Sequence, residues 1–334
     1  MRFPGEWEPH ERTIMGWPCR LELWGETITQ ARADYATVAN AIAAFEPVTM
    51  IANPGADAAQ ARAALSSDVE VVELPIDDSW LRDSGPIYVV SGGVLPDTPS
   101  PQRTAVHFKF NAWGEKFPAW DRDAAVGALI ASYLGDEVSE AALVLEGGSV
   151  ISDGAGTVLS TEQCLLNPNR NPSMNRAQIE AALASHLGAE RVVWLGSGLI
   201  EDRDTDGHVD LIAAYTEDGR VILQTAREDN PNFDLCAENL DRLTNAAIEV
   251  IEMPYLPYVE VAGEQVVASY MNLYIANGAL IVPVTGAETD DDALALLGSA
   301  FPGREVVGVP GAVIAYGGGG PHCITQQVPS VSGR

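Results

Sequence analysis

Five segments of the chain share one layout: a polar or glycine-rich cluster, then a short apolar strand. In four of them a glycine-centred turn and a second apolar strand follow. They are Arg82–Val94, Glu146–Val158, Gly207–Val221, Tyr270–Leu280 and His322–Val328, the last ending before any second strand. With Asp83, Glu146, His208, Asn272 and Cys323 as markers, the intervals are 63, 62, 64 and 51 residues. Self-similarity at a fixed period is the mark of a repeat-built architecture. A helical pattern lies in most intervals, so the reading is an α/β fold of five ββαβ units in a closed, pseudo-fivefold propeller. Each unit would bring one polar cluster to the axis. The competing reading is a non-repetitive α/β domain whose strand ends happen to be evenly spaced.

Hydrophobic periodicity fills in the elements. Residues 26–45 carry apolar positions at helical spacing, and Val48–Ala52 reads as a buried strand. Ala56–Leu65 reads as a helix and Val69–Leu74 as a strand, followed by the turn-rich Asp77–Pro86 and the strand Ile87–Val90. Helices are expected near 119–134, 175–187, 232–247 and 290–299, with short strands at Val192–Leu195, Val221–Leu223 and Leu280–Pro283. Asp97–Pro101 reads as a loose surface loop. No composition break marks a linker, so residues 1–334 are taken as a single catalytic domain.

Charge narrows the partners. The 47 Asp+Glu against 19 Lys+Arg give a formal net charge of -28. Such a surface repels nucleic acid and anionic membranes and favours a small cation. Most of these carboxylates serve solubility alone. The four scattered cysteines form no CxxC pair, no apolar run approaches a membrane span, and the N-terminus lacks a signal-peptide core. A cytoplasmic protein is expected.

The polar clusters carry the chemistry. Gly317-Gly-Gly-Gly-Pro-His-Cys323 puts a thiol at the lip of a glycine run, where the backbone can approach a ligand closely. Cys323 is a candidate nucleophile, against the alternative of a buried structural cysteine. In Gly207-His-Val-Asp210, a spacing of two on a strand would set His208 and Asp210 on one face. Glu146, between an apolar strand and Gly147-Gly148, should be partly buried and in need of a partner. Trp80-Leu-Arg-Asp83 offers an aromatic face beside an acid, which suits a flat cation. Arg82 reads as structural, ion-paired with Asp83, because a second cation would repel that ligand. The donors of a metal site are all present as residue types, but the sequence has no HExxH, CxxC or HxH and only five histidines, so no metal is expected.

The same residues resemble a known family. Trp7-Glu-Pro-His10, Asp78–Pro86, Phe110-Asn-Ala-Trp-Gly114, Leu145-Glu-Gly-Gly148, Cys164–Pro172, Asp204–Asp210, Ser269–Gly278 and His322–Gln327 together are similar to the agmatine deiminases. The resemblance runs over essentially the whole chain. It implies the fivefold α/β propeller (pentein) of the guanidino-group-modifying superfamily, and hydrolysis of agmatine to N-carbamoylputrescine and ammonia without a cofactor. It implies Cys323 as nucleophile, His208 as general acid and base, and Glu146 as the carboxylate supporting that histidine. Asp83 and Asp210 would grip the guanidinium, Trp80 would line the pocket, and Gly320 would contact substrate. His322 would be structural.

Two departures stand out. Gly320-Pro321 stands where relatives carry Asn followed by a small or apolar residue before the His-Cys pair, and Glu115–Pro118 is shorter than their insertion at the pocket rim. A deiminase of arginine or peptidyl arginine, an amidinotransferase, and a non-catalytic polyamine binder remain alternatives. A homo-oligomer, dimer or tetramer, is left open.

Overall fold

The computed structural model describes residues 1–92 and 102–331. The proline-rich stretch read as a surface loop, 97–101, lies outside the described residues.

Four sheets repeat one topology. In the first, Ile87–Ser91 pairs antiparallel with Gln102–Lys109, which runs parallel to Glu137–Val144 across the helix Asp123–Leu134. The second repeats this with Ile151–Ser152, Thr157–Thr161, the helix Arg176–Leu187 and Arg191–Leu195. The third uses Ala213–Tyr215, Val221–Gln224, the helix Phe233–Asn245 and Val250–Met253. The fourth uses Tyr274–Ala276, Ala279–Val284, the helix Asp290–Ala300 and Glu305–Pro310. A parallel pair needs a long crossover, and the helix in each unit supplies it.

The fifth sheet is assembled from both ends of the chain. Thr325–Pro329 pairs antiparallel with His10–Gly16. That strand runs parallel to Val48–Ala52 across the helix Ile28–Ala43, and a further helix, Ala56–Ala64, leads to Val69–Glu73 at the edge. The missing second strand of the fifth repeat is therefore supplied by the N-terminal segment. The helix Ile28–Ala43 buries Ala31, Tyr35, Val38, Ala39 and Ile42, the stripe that its 3.6-residue period requires. Interior strands such as Val48–Ala52 and Val221–Gln224 are buried throughout, as strands covered on both faces must be. A hairpin of Tyr258–Val261 and Glu264–Val267, between the third and fourth sheets, has no counterpart in the sequence reading.

Hydrogen bonds at the axis tie each unit to the next. Gly148 N–H donates to Asp83 Oδ1 at 2.9 Å, and Thr161 Oγ1–H to the Gly207 carbonyl at 2.6 Å. Ser269 Oγ–H donates to the Leu211 carbonyl at 2.8 Å, and His322 N–H to that of Asn272 at 3.1 Å. Arg82 N–H closes the circle on the Cys323 carbonyl at 3.2 Å. The five polar clusters thus meet in one place. Among the described residues, no helix is long and apolar enough to cross a membrane.

Candidate active site

Cys323 lies two residues before the strand Thr325–Pro329 and lines a cleft. Trp80, Trp113, Phe117 and Leu23 form its apolar walls, and Asp78, Asp83 and Asp204 supply acid, with Arg20 as the one cation among the lining residues. The glycine run packs on the thiol. A Cβ at Gly319 would come within 2.7 Å of Cys323 Cβ and 2.9 Å of its Sγ, and within 2.9 Å of the Trp80 indole. Of the four glycines only Gly318 has a positive φ, 111°. The run is needed mainly for close approach.

Asp83 is held by Trp113 Nε1–H, which donates to its Oδ2 at 2.9 Å, while Gly148 N–H takes Oδ1. Asp83 is therefore not the partner of Arg82, as the sequence reading had it. The Arg82 guanidinium turns away from the cleft, donating to Gln327 Oε1 at 2.7 Å and the His322 carbonyl at 3.3 Å and pairing with Glu6 at 3.4 Å. It remains structural, with a different counter-ion.

His208 and Asp210 meet, but not on a strand. His208 precedes a 3₁₀ turn, Val209–Leu211, and the strand begins only at Ala213. The reason is local. Asp202 Oδ2 accepts the N–H groups of Gly207 at 3.1 Å and His208 at 2.9 Å, so those amides are unavailable to a ladder. His208 Nδ1 then lies 3.8 Å from Asp83 Oδ1 and 4.0 Å from Asp210 Oδ1. A Cβ at Gly148 would come within 2.6 Å of that nitrogen and within 3 Å of both carboxylates, so a glycine is required where the three converge.

Glu146 is fully buried, and its partner is Arg170, whose Nε–H donates to Oε1 at 2.7 Å with both side chains 0% exposed. The expected direct support of His208 by Glu146 is thus not a hydrogen bond. Glu146 Oε2 and both His208 ring nitrogens have no hydrogen-bond partner among the described residues. Donor atoms of Glu146, Cys164 and His208 nevertheless lie within 4.8 Å of one another. Arg170 also donates to Asp206 Oδ2 and the Thr205 carbonyl, locking the loop before His208.

His322 is structural in a particular sense. Its Nδ1 bonds Asp210 Oδ2 at 2.8 Å and its Nε2 bonds Glu6 Oε1 at 2.8 Å. One Asp210 oxygen is thereby held, and Oδ1 has no hydrogen bond among the described residues. Cys323 Sγ lies 3.4 Å from Asp210 Oδ2 and 3.1 Å from Asn272 Nδ2. Gly320 meets Asn272 rather than the open cleft, a Cβ there falling 2.8 Å from Asn272 Oδ1.

The electrostatics follow from burial and these contacts. Burial, with Asp210 and Asp83, pushes the Cys323 thiol well above its ordinary 9.0, and the Gly320 amide and Asn272 pull it back in part. Burial would lower the pKa of His208, but Asp83, Cys164 and Asp210 override it and hold the imidazole well above 6.5. Burial raises Asp83, whereas in Asp210 the same penalty is outweighed by His322 and His208. These contacts favour the cationic form of the His208 imidazole and the neutral form of the Cys323 thiol, with Asp83 on the cleft lining and Asp210 against the sulfur.

The sequence reading missed Glu6, Arg170, Cys164 and Asp204. Arg170 and Cys164 belong to the Cys164–Pro172 stretch and Asp204 to Asp204–Asp210, so the motifs were visible while the partners, far apart in sequence, were not. Asp204 lines the cleft with no hydrogen bond to its carboxylate among the described residues, and its pKa is raised by burial and by Asp202.

Comparisons with known proteins converge on one family. A family model described as Porphyromonas-type peptidyl-arginine deiminase matches residues 2–329. Agmatine deiminase of Pseudomonas aeruginosa (strain LESB58) is 40% identical over 98% of this chain and 95% of its own. Among solved structures, agmatine deiminase of Enterococcus faecalis, described as catalysing its reaction, covers 99% of this chain and 96% of its own at 31% identity and a TM-score of 0.90. A cysteine-to-serine variant of C. jejuni agmatine deiminase with substrate bound gives a TM-score of 0.89 at 26% identity, covering 98% of this chain and 96% of that one. The chain belongs to the Porphyromonas-type peptidyl-arginine deiminase family.

Proposed function

We propose that this protein hydrolyses the guanidinium group of agmatine to N-carbamoylputrescine and ammonia, through a covalent thiouronium on Cys323. The observation that carries this reading is the placement of Cys323 on the lining of an aromatic, acid-lined cleft, its sulfur 3.4 Å from Asp210. The agmatine deiminases of P. aeruginosa and E. faecalis support it, as does the substrate-bound cysteine variant of the C. jejuni enzyme.

A guanidinium is resonance-stabilised and needs both orientation and a strong nucleophile. It lies against Trp80 and donates its N–H groups to Asp83 and to Asp210 Oδ1. Charge-assisted bonds of this kind are about twice as strong as neutral ones. The bound cation offsets the two acids that hold Cys323 as a thiol, so binding itself promotes the thiolate, with the thiol proton released to solvent. The sulfur adds to the central carbon, His208 protonates the departing nitrogen, and ammonia leaves. A water deprotonated by His208 then adds to the thiouronium, and collapse expels the thiolate with the urea product. Proton transfer by His208 is worth about 10² to 10⁴ in rate. Glu146 and Arg170 act behind the histidine, fixing the loop that carries it.

The far end of the substrate is read by charge. Asp204, at the cleft wall and with its carboxylate free of hydrogen bonds among the described residues, fits a primary ammonium. Arginine would need a free cation for its carboxylate. Arg20 is not free, since it pairs with Asp78 at 3.2 Å and donates to the carbonyls of Phe117 and Ala119. The enzyme works as one catalytic unit in the cytoplasm, without cofactor.

Ammonia release from agmatine and from arginine, for wild type and Cys323→Ala, tests the reading. Agmatine should react at least tenfold faster than arginine, and the variant should release none from either. Wild-type protein that yields no ammonia from any guanidine would overturn it.

A further inference from the structure

Asn272, the axial marker of the fourth repeat, has no part in the scheme above, yet it touches the reacting atom. It is 1% exposed, and its Nδ2 lies 3.1 Å from Cys323 Sγ. Which end of an amide faces a sulfur is settled by its other bonds. Cys323 N–H, which can only donate, sits 3.2 Å from Asn272 Oδ1. The Asp210 carbonyl, which can only accept, sits 3.4 Å from Nδ2. Both fix the same orientation, so the group at the sulfur is an N–H donor. The Asn272 backbone is fixed as well, its N–H on the Ser269 carbonyl at 3.1 Å and its carbonyl on His322 N–H.

We propose that Asn272 is a catalytic residue whose Nδ2–H stabilises the Cys323 thiolate, first as nucleophile and again as leaving group. The two neighbours of the sulfur act in opposite directions. Asp210 Oδ2, at 3.4 Å, accepts from the neutral S–H and repels the ionised sulfur. The Asn272 donor gains strength on ionisation, because a hydrogen bond to an anion is the stronger kind. When the C–S bond forms and the sulfur loses its charge, that bond weakens. When the second tetrahedral adduct collapses, the electron pair returns to sulfur and the bond is restored. The donor therefore acts at both ends of the covalent step and needs no added reactant. Gly320 belongs to the same device. A side chain there would collide with Asn272 Oδ1 at 2.8 Å and push the amide off the sulfur.

The leaving-group half of this proposal rests on the deiminase reading, but the nucleophile half does not, and the test separates them. Asn272→Asp keeps the shape and removes the donor; Asn272→Ala removes both. Alkylation of Cys323 by iodoacetamide is followed by mass spectrometry of its peptide from pH 6 to 10, alongside kcat and KM for ammonia release from agmatine. A hydrogen bond to a charged group corresponds to roughly one to two pH units in the sulfur's titration. Alkylation of each folded variant at pH 8 should therefore fall ten- to a hundredfold. The kcat should drop by about the same factor with KM within threefold. Cys323 alkylation within twofold of wild type in a folded variant would overturn the proposal. So would loss of folding in both variants, which would assign Asn272 to holding the axis. Absence of ammonia from wild type would instead overturn the deiminase reading, while the alkylation comparison still judges Asn272.

Discussion

Asp123 is 2% exposed, and its Oδ1 accepts the backbone N–H groups of Asp77 at 2.8 Å and Asp78 at 3.2 Å. Two amides do not offset the burial of its charge beside Asp78 and Asp77, and its pKa is pushed from 3.8 up to about 7. Glu6 shows the opposite outcome. Its burial is outweighed by His322 and Arg82, which hold it at about 2. The sign for Asp123 follows directly. Its folded value lies above the unfolded one, so its contribution to stability is most favourable below about pH 4 and is lost as pH rises through about 7. Asp123→Asn retains an oxygen for both amides and removes the charge. Its urea-unfolding advantage over wild type should widen by about 3 kcal/mol between pH 5 and pH 8.5, since one pKa unit is ~1.4 kcal/mol. A gap that stays constant with pH would remove Asp123 from the account.

At the scale of elements, the axis is built from short turns pressed together. Gly147–Ser149 is a single 3₁₀ turn, and a Cβ at Gly147 would stand 2.2 Å from the Arg82 carbonyl oxygen. That oxygen belongs to the turn Leu81–Ser84, which carries Asp83, so it cannot retreat without moving the acid. Gly147→Ala should cost about 3 kcal/mol in urea unfolding, at the upper end for overpacking, and lower kcat/KM for agmatine at least tenfold. Gly286→Ala, at φ 80° with open space around it, should cost only about 1 kcal/mol and leave turnover unchanged. Equal effects of the two would mean that the axial contact yields freely. The strands and helices around these turns were legible in the sequence because period alone decides them: 290–299 was expected and Asp290–Ala300 is found. The turn at His208 was not legible, because the residue that forbids a strand there, Asp202, is six positions upstream and acts through backbone amides. The Glu146–Arg170 pair spans 24 residues, and the strand completing the fifth sheet lies at the other end of the chain. Spacing revealed the five clusters and their convergence; partner choice inside them depended on tertiary contacts that no local pattern encodes.

At the scale of the whole molecule, a formal charge of -28 surrounds the Cys323 cleft, whose lining includes Asp78, Asp83 and Asp204. Of these, Asp78 is pushed up to about 6 by burial and is also paired with Arg20, so the field at the mouth comes chiefly from the other acids and the surface. A dication such as agmatine approaching this protein gains attraction from the entire surface before it makes any contact, and such fields raise association by roughly 10 to 10³. The gain is screened over a Debye length of about 30 Å at 0.01 M salt and 3 Å at 1 M. Raising ionic strength from 0.02 to 0.5 M should therefore lower kcat/KM for agmatine by about tenfold, almost entirely through KM. The charge-assisted contacts inside the closed site are shielded from salt and should keep kcat within twofold. A guanidine carrying a carboxylate in place of the amine separates this from a general salt effect on the fold. Its low kcat/KM should rise with salt, because the same field repels its anionic end. If both substrates respond in the same direction, the surface charge serves solubility alone and the selectivity for a cation resides wholly in the cleft.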